Sequence, residues 1–283
     1  MKATDSQPSI AILYFSGAGG TKLVAELLGG LLAARVPGDC RACSIHEAGA
    51  MEAAEKAGFL VFCYPTYFLK PAPAMAEFMA SLPEGGGGGR GAALLTTYEL
   101  YTGNSNRYAA KLLAGRGVAP AGSFGVRAPG TDVTCVLPDW LCGWLYRFED
   151  RFPEKLAEIA RRISAKAGLP SNGGKIPAPK WYTPLSWPLQ VLILDGFIHW
   201  KYRMRALPER CNGCGLCIQA CHRGSWRRAE GGLVHDGDSC DLCLRCLHHC
   251  PGKAIVLKEG LKDNRRLDQA SYRRLMQETK ERL

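Results

Sequence analysis

Residues 10–35 read IAILYFSGAGGTKLVAELLGGLLAAR. Ile10 to Phe15 is an unbroken apolar run, which predicts a strand buried on both faces, and residues 22–35 read as a helix. Between them stands a glycine-rich turn, and strand, turn and helix in that order are the first step of a parallel α/β sheet. The same rhythm continues downstream. Strands are expected over residues 40–46, 59–64, 92–97 and near 122–126, and helices over 51–56, 71–81 with proline in the first turn, and 104–116. Residues 84–91 read as a glycine-rich turn. From 140 to 167 apolar residues (Leu141, Leu145, Phe148, Phe152, Leu156, Ile159, Ile163) recur at spacings of three and four, which predicts the last helix of a first domain, residues 1–168. Residues 169–184 are rich in Pro and Gly and 185–204 are apolar and aromatic, so 169–205 reads as a linker with an interdomain helix.

A chain of 283 residues with 47% hydrophobic and 22% charged residues has the balance of a globular protein of two domains. It holds no apolar run of membrane-spanning length, and the first residues enter a strand pattern without a cleavage site, so a soluble, cytoplasmic protein is expected. The net charge of +10 arises behind residue 134: 11 basic residues face 10 acidic ones up to Thr134, 12 face 7 over residues 135–210, and 13 face 9 thereafter. Charge alone would suggest nucleic acid, but no recognition motif accompanies it and the basic runs are scattered. No nucleic-acid partner is expected. Trp181, Trp187, Trp200, Lys201, Arg203 and Arg205 around residues 185–204 also suit an interfacial membrane helix, although Asp195 and Gly196 interrupt it. Packing between domains accounts for them without a membrane.

Thirteen cysteines mark the chain, and eight fall between 211 and 250. Cys211, Cys214, Cys217 and Cys221 stand at C-x2-C-x2-C-x3-C, and Cys240, Cys243, Cys246 and Cys250 repeat that spacing with Pro251 next. Three thiolates two residues apart wrap three corners of an iron-sulfur cube, while the fourth leaves on a short helix toward the other cube. Cys211, Cys214, Cys217 and Cys250 should hold a first 4Fe-4S cluster, and Cys240, Cys243, Cys246 and Cys221 a second. Gly213 and Gly215 let the first loop turn. Paired zinc knuckles usually come from separated hairpins, so zinc suits the spacing less well. Two anionic clusters also offset part of the basic excess. The pattern is that of bacterial two-cluster ferredoxins, with His222 where proline usually follows the fourth cysteine and a long basic spacer over 223–237. His222, His248 and His249 read as neighbours of the clusters or surface residues, because the thiols already suffice. A reducing, anaerobic setting follows. Cys40 and Cys43, three apart in a strand, read as packing residues rather than a redox dithiol; Cys63, Cys135 and Cys142 complete the count.

The front turn, Ser16-Gly17-Ala18-Gly19-Gly20-Thr21, resembles the phosphate loop of flavodoxins, usually S/T-G-T-G-N-T. Its backbone N–H groups and the helix N-terminus would hold a phosphate, with Ser16 and Thr21 adding hydroxyls; Ala18 and Gly20 remove two side-chain donors. A dinucleotide fingerprint would need glycine at Lys22, and a P-loop would need Gly-Lys-Ser/Thr. The resemblance implies FMN, its ring held by the loops after the third and fourth strands, here Pro65, Thr66, Tyr67, Phe68 and Leu69 opposite Thr97, Tyr98, Glu99, Gly103 and Asn104. Taken whole, the chain resembles the flavodoxin–ferredoxin fusion family: a flavodoxin-like, doubly wound five-stranded parallel sheet, then a small α+β two-cluster ferredoxin domain over 206–258 and a charged C-terminal helix within 259–283. The resemblance implies electron relay between FMN and two clusters, coupling a low-potential donor to a reductase partner. Its partners would be redox proteins, acidic ones suiting the basic rear half. The alternative is a reductase acting on a small-molecule acceptor, tetrapyrrole-like for instance, over Tyr67, Tyr98 and residues 129–131. No nicotinamide fingerprint is visible.

Overall fold

Apolar runs without polar alternation become the inner strands of a sheet covered on both sides. The computed structural model describes residues 9–84, 90–131, 140, 146–167, 174–182, 204–258, 260 and 262–281. Strands β1 (Ile10–Tyr14), β2 (Cys40–Ser44), β3 (Phe59–Tyr67), β5 (Gly91–Tyr98) and β6 (Ala119–Arg127) lie parallel in the order β2-β1-β3-β5-β6. That is the flavodoxin-like type of doubly wound sheet, whose chain reverses direction beside β1 and leaves a crevice at the carboxyl ends of β1 and β3. The two-residue β4 (Lys70–Pro71) folds back antiparallel on the end of β3, pairing Thr66 with Pro71 and Tyr67 with Lys70.

Alternate residues of each strand feed separate cores. On one face Ile10, Ile12, Val61 and Leu95 meet α1 (Gly20–Ala33) and α5 (Phe152–Ala167) through Val24, Leu28, Phe152, Leu156 and Ile163. On the other, Leu13, Leu60, Phe62 and Leu94 meet α2 (Ala50–Lys56), α3 (Pro73–Ala80) and α4 (Ser105–Gly115) through Ala54, Met75, Met79 and Leu113. Cys40 joins the first core and Cys43 the second, as their odd spacing in a strand requires. The expected helix over 140–167 is seen as α5 in its later part; residues 141–145, most of 169–205, Cys135 and Cys142 lie outside the described residues.

The second unit is small. β7 (Arg205–Ala206) pairs antiparallel with β10 (Ile255–Val256), β8 (Trp226–Ala229) with β9 (Gly232–His235), and two one-turn helices, α6 (Leu216–Ala220) and α7 (Arg245–His249), pack together. Repeated spacing yields repeated backbone. Cys217 and Cys246 sit in the helices, Cys221 and Cys250 cap their ends, and Gly215 (φ 76°) and Leu244 (φ 57°) precede them in the left-handed region. Gly213 (φ 72°) and Leu242 (φ 51°) are a second such pair. Leucine at φ > 0 costs roughly 1–2 kcal/mol where glycine costs little. Burial offsets that cost, since Leu244 is buried in the unit's core with Trp226 and Leu247, and Leu242 packs against it.

The C-terminal helix α8 (Gln269–Glu281) belongs to the first unit's packing: Tyr272 and Met276, with Leu267 before the helix, are buried in the core formed by α1 and α5. Asp268 caps it, its carboxylate accepting from the Ser271 N–H (2.7 Å) and hydroxyl (2.6 Å). These bonds hold the Asp268 carboxyl below its ordinary pKa. Asp268→Ala is expected to cost about 1 kcal/mol at pH 7. Because the folded-state pKa is the lower one, that contribution is complete above about pH 4 and disappears as pH falls through the folded value. Thermal melts of both proteins at pH 7 and in acid check this: the gap between them should close on acidification. Among the described residues no helix is long and apolar enough to cross a membrane.

Candidate functional site

Seven of the eight repeat cysteines fall into two neighbourhoods, each of which includes one member of the other repeat. Burial raises the Cys217 thiol pKa, and Cys250 and Cys211 beside it raise it further. Burial likewise pushes Cys240 up to about 12, with Cys243 and Cys221 as neighbours, and Cys246 well above its usual value, with Cys243, Cys240 and Cys221 around it. The proximities join Cys211, Cys217 and Cys250 in one set and Cys221, Cys240, Cys243 and Cys246 in the other. Cys214 stands at the exposed tip of the first loop. Among the described residues no three His, Cys, Asp or Glu close on a single ion. A cubane, bound by one thiolate per corner, needs its ligands spread around a larger body.

The second set lines an inner cavity together with His222, Asp241, Trp226, Met204 and Arg245. Two buried side chains there, His222 and Trp226, turn their N–H groups to thiols of this set. Both residues adjoin its thiols, His222 beside Cys243 and Trp226 beside Cys246. Thiolate sulfur accepts hydrogen bonds, and N–H groups aimed at it favour its charged, ligating form. Backbone N–H groups already donate to the sulfurs: Leu242 to Cys240 (3.3 Å), Ser225 to Cys221 (3.3 Å) and Ala254 to Cys250 (3.2 Å). The four thiols around the cavity and the N–H groups directed at them fit an iron-sulfur cluster.

Around that cavity lies a charge network. His222 Nε2 is 2.8 Å from Asp241 Oδ2, and Arg223 bridges Asp241 (3.0 Å) and Glu77 (2.6 Å). Burial works against a charged His222, but Asp241 and Cys243 override it and raise the pKa to about 9. His46 stacks on the same ring at 4.8 Å, and burial followed by the neighbouring His222 charge lowers its pKa to about 4. One imidazole is therefore charged and the other neutral at pH 7.

The turn read as a phosphate loop sits between β1 and α1, at the switch point. Helix α1 begins at Gly20 rather than Lys22, because Gly19 takes φ 119° and caps it. Every residue from Ser16 to Thr21 is buried. Ser16 Oγ accepts from Gly19 N–H (3.1 Å), and the Thr21 and Thr97 hydroxyls bond each other (2.8 Å). Over the loop lies the second unit. Arg245 donates to the Ser16 carbonyl (2.6 Å) and the Gly17 carbonyl (3.3 Å), and a Cβ on Gly17 would collide with the Cys243 carbonyl. A Cβ on Gly20 would lie 2.7 Å from the Tyr272 ring. The loop has the backbone and helix end that a flavin phosphate requires, but protein atoms cover it.

The two loops expected to hold a flavin ring meet each other: a Cβ on Gly103 (φ 54°) would lie 2.6 Å from Leu69, and Thr66 bonds Thr96 across the strands (2.8 Å). Phe68 and Leu69 both take positive φ (48° and 66°), and Tyr67 lies edge-on to Phe15 at 6.3 Å. Pro65 continues β3, Tyr98 ends β5 beside Gly125, Glu99 lies against Gly130, and the Asn104 side chain accepts from Lys180 N–H (3.1 Å). The patch at 129–131 is closed as well: the Pro129 carbonyl accepts from Tyr272 (3.1 Å) and the Thr131 carbonyl bonds His248 (3.0 Å).

Sequence reasoning singled out the thiols and the loop but missed what joins them. His248, buried and with its pKa lowered to about 3 by burial, accepts from Leu267 N–H (3.0 Å) at Nδ1 and donates to Thr131 from Nε2, so one neutral ring ties α7 to both units. His249 is exposed and bonds the Arg245 carbonyl. Asp241, Arg223, His46 and Arg245 carry no spacing signal, since their partners lie far away in sequence.

No family model matches the chain, and no curated protein does. Among solved structures, a flavodoxin from the domain Archaea is similar at 17% identity over 57% of this chain and 99% of its own, with a TM-score of 0.40. The apo form of an NADH:FMN oxidoreductase (EMOB) is similar at 16% identity over 56% of this chain and 89% of its own, TM-score 0.43. Oxidised flavodoxin 1 from Bacillus cereus is similar at 15% identity over 56% and 98%, TM-score 0.41. Likenesses this distant carry no argument about chemistry.

Proposed function

We propose that the chain is an electron-transfer protein that holds two 4Fe-4S clusters in its second unit and relays electrons between them and FMN on its flavodoxin-like unit. The observation that supports this most is the pair of thiol groups with exchanged fourth members, one of them facing the front unit's crevice. When bound, each cluster carries single electrons and the flavin one or two. Cys211, Cys214, Cys217 and Cys250 would hold the outer cluster, and Cys240, Cys243, Cys246 and Cys221 the inner one, with His222 and Trp226 offering their buried N–H groups to it. Backbone N–H groups at Leu242, Ser225 and Ala254 steady the sulfurs. Ser16 to Thr21 would take the flavin phosphate, and the loops after β3 and β5 the ring, in a form where the covering residues have moved.

The two thiol sets differ in exposure, and this suggests a port. Residues 212–214 and Leu216 are exposed, whereas residues 241–243 are partly covered by the front unit. A redox partner would therefore reach the outer set. Exposed Arg227 and Arg228 on β8, Arg228 bonding the Gly213 carbonyl (2.8 Å), would favour an acidic face on it.

Anaerobic reconstitution with iron, sulfide and FMN, followed by metal and flavin analysis and EPR of the reduced protein, tests the reading. About eight irons per chain and two reducible clusters are expected. Tight zinc binding with no cubane signal would sink it.

A further inference from the structure

The contacts over the glycine loop come from two separate places in the second half of the chain, the Cys243 loop and α8. The Cys243 peptide lies on Gly17, Gln269 lies on Gly19 (3.2 Å from an added Cβ) and the Tyr272 ring lies on Gly20. Arg245 fastens this layer by donating to two loop carbonyls, and Tyr272 anchors it through its hydroxyl to Pro129. The glycines are thus needed for close approach by protein: Gly17 and Gly20 have no room for a methyl group. Within the loop, the Ser16 and Thr21 hydroxyls already have partners.

We infer that the loop Ser16–Thr21 is a seat for the second unit and α8, and that this layer and a flavin phosphate compete for it. The inference rests on the flavin reading only for the identity of the competing ligand. While the layer is down, the seat is full; a flavin-loaded chain has the Cys243 loop and Tyr272 displaced from it. By linkage, the free energy that docks the layer is subtracted from flavin binding, and flavin binding weakens docking by the same factor. The inner thiol set and the phosphate seat share one boundary, so loading the flavin moves the inner set away from Gly17.

The test uses the full chain with its clusters rebuilt anaerobically, as wild type, Tyr272→Ala and Gly17→Ala. Tyr272→Ala removes the lid from the side of α8. Gly17→Ala places a methyl group against the Cys243 carbonyl and leaves the buried cores intact, so it serves if Tyr272→Ala fails to fold. Amide exchange across residues 16–21 is measured first without flavin, then FMN affinity by quenching of flavin fluorescence. Slow exchange in wild type, at least about tenfold faster exchange in the variants, and at least about tenfold tighter FMN binding by Tyr272→Ala are expected. Equal exchange in all three proteins overturns the seat, and so does wild type binding FMN as tightly as Tyr272→Ala. If the variants exchange faster yet FMN binds none of the three, the flavin reading fails and the seat is upheld.

Discussion

Cys243→Ser is expected to leave about four irons per chain where wild type reconstitutes about eight. Cys243 stands at the middle of the second loop, in the set with Cys240, Cys246 and Cys221, and has no part in the set with Cys211, Cys217 and Cys250. Serine keeps the size of the side chain but replaces the thiolate with a hydroxyl that does not ionise near neutral pH. Loss should therefore be confined to the inner site. The backbone of residue 243 still lies on Gly17, so the two units stay docked and the remaining irons report the outer site alone. Iron and sulfide analysis with EPR checks this, and retention of about eight irons would show that Cys243 is not a ligand.

Phe15→Ala should cost about 3–5 kcal/mol, lowering the melting temperature by roughly 10 °C, and it should separate the two units as well as loosen the first. Phe15 is fully buried just beyond β1, in the core with Leu13 and Phe62. Its ring also meets His222 at 5.2 Å, His46 at 5.6 Å and Tyr67 at 6.3 Å, each edge-on, with the Arg245 guanidinium 5.9 Å above it. A cavity here removes packing from the sheet and, at once, the platform on which the charged His222 and Arg245 rest. Calorimetry, with limited proteolysis between the units, checks both effects. A melting point within a degree or two of wild type would refute the hub role.

The front sheet was legible because strands buried on both faces leave long apolar runs, and Ile10 to Phe15, residues 59–64 and 92–97 are such runs. Strand ends were less so: β6 extends from Ala119, three residues before the expected start, because its early residues are alanines and a proline, which carry no strand signal, and pair through their backbone. The cysteine spacing repeats and so does the backbone: Gly213 and Gly215 turn as expected, and Leu242 and Leu244 take the same left-handed conformations with no glycine to announce them. What the sequence hid was the layer between the units. Tyr272 and Met276 are apolar positions diluted among Arg273, Arg274 and Gln277, so α8 reads as a charged helix although one stripe enters the first core. Arg245 reads as one more surface cation until its carbonyl partners, more than two hundred residues away, are known. Pairings of that span leave no local periodicity.

The position of Tyr272 also bears on how the protein is made. A ribosome adding about 5–20 residues per second finishes α5 at Ala167 roughly 5–20 s before it reaches Tyr272. During that interval the front sheet lacks Leu267, Tyr272 and Met276 from its first core, and Gly17 and Gly20 face solvent. Nascent chains thus pass through a stage in which the crevice is accessible to a small molecule before the rest of the polypeptide arrives to close it.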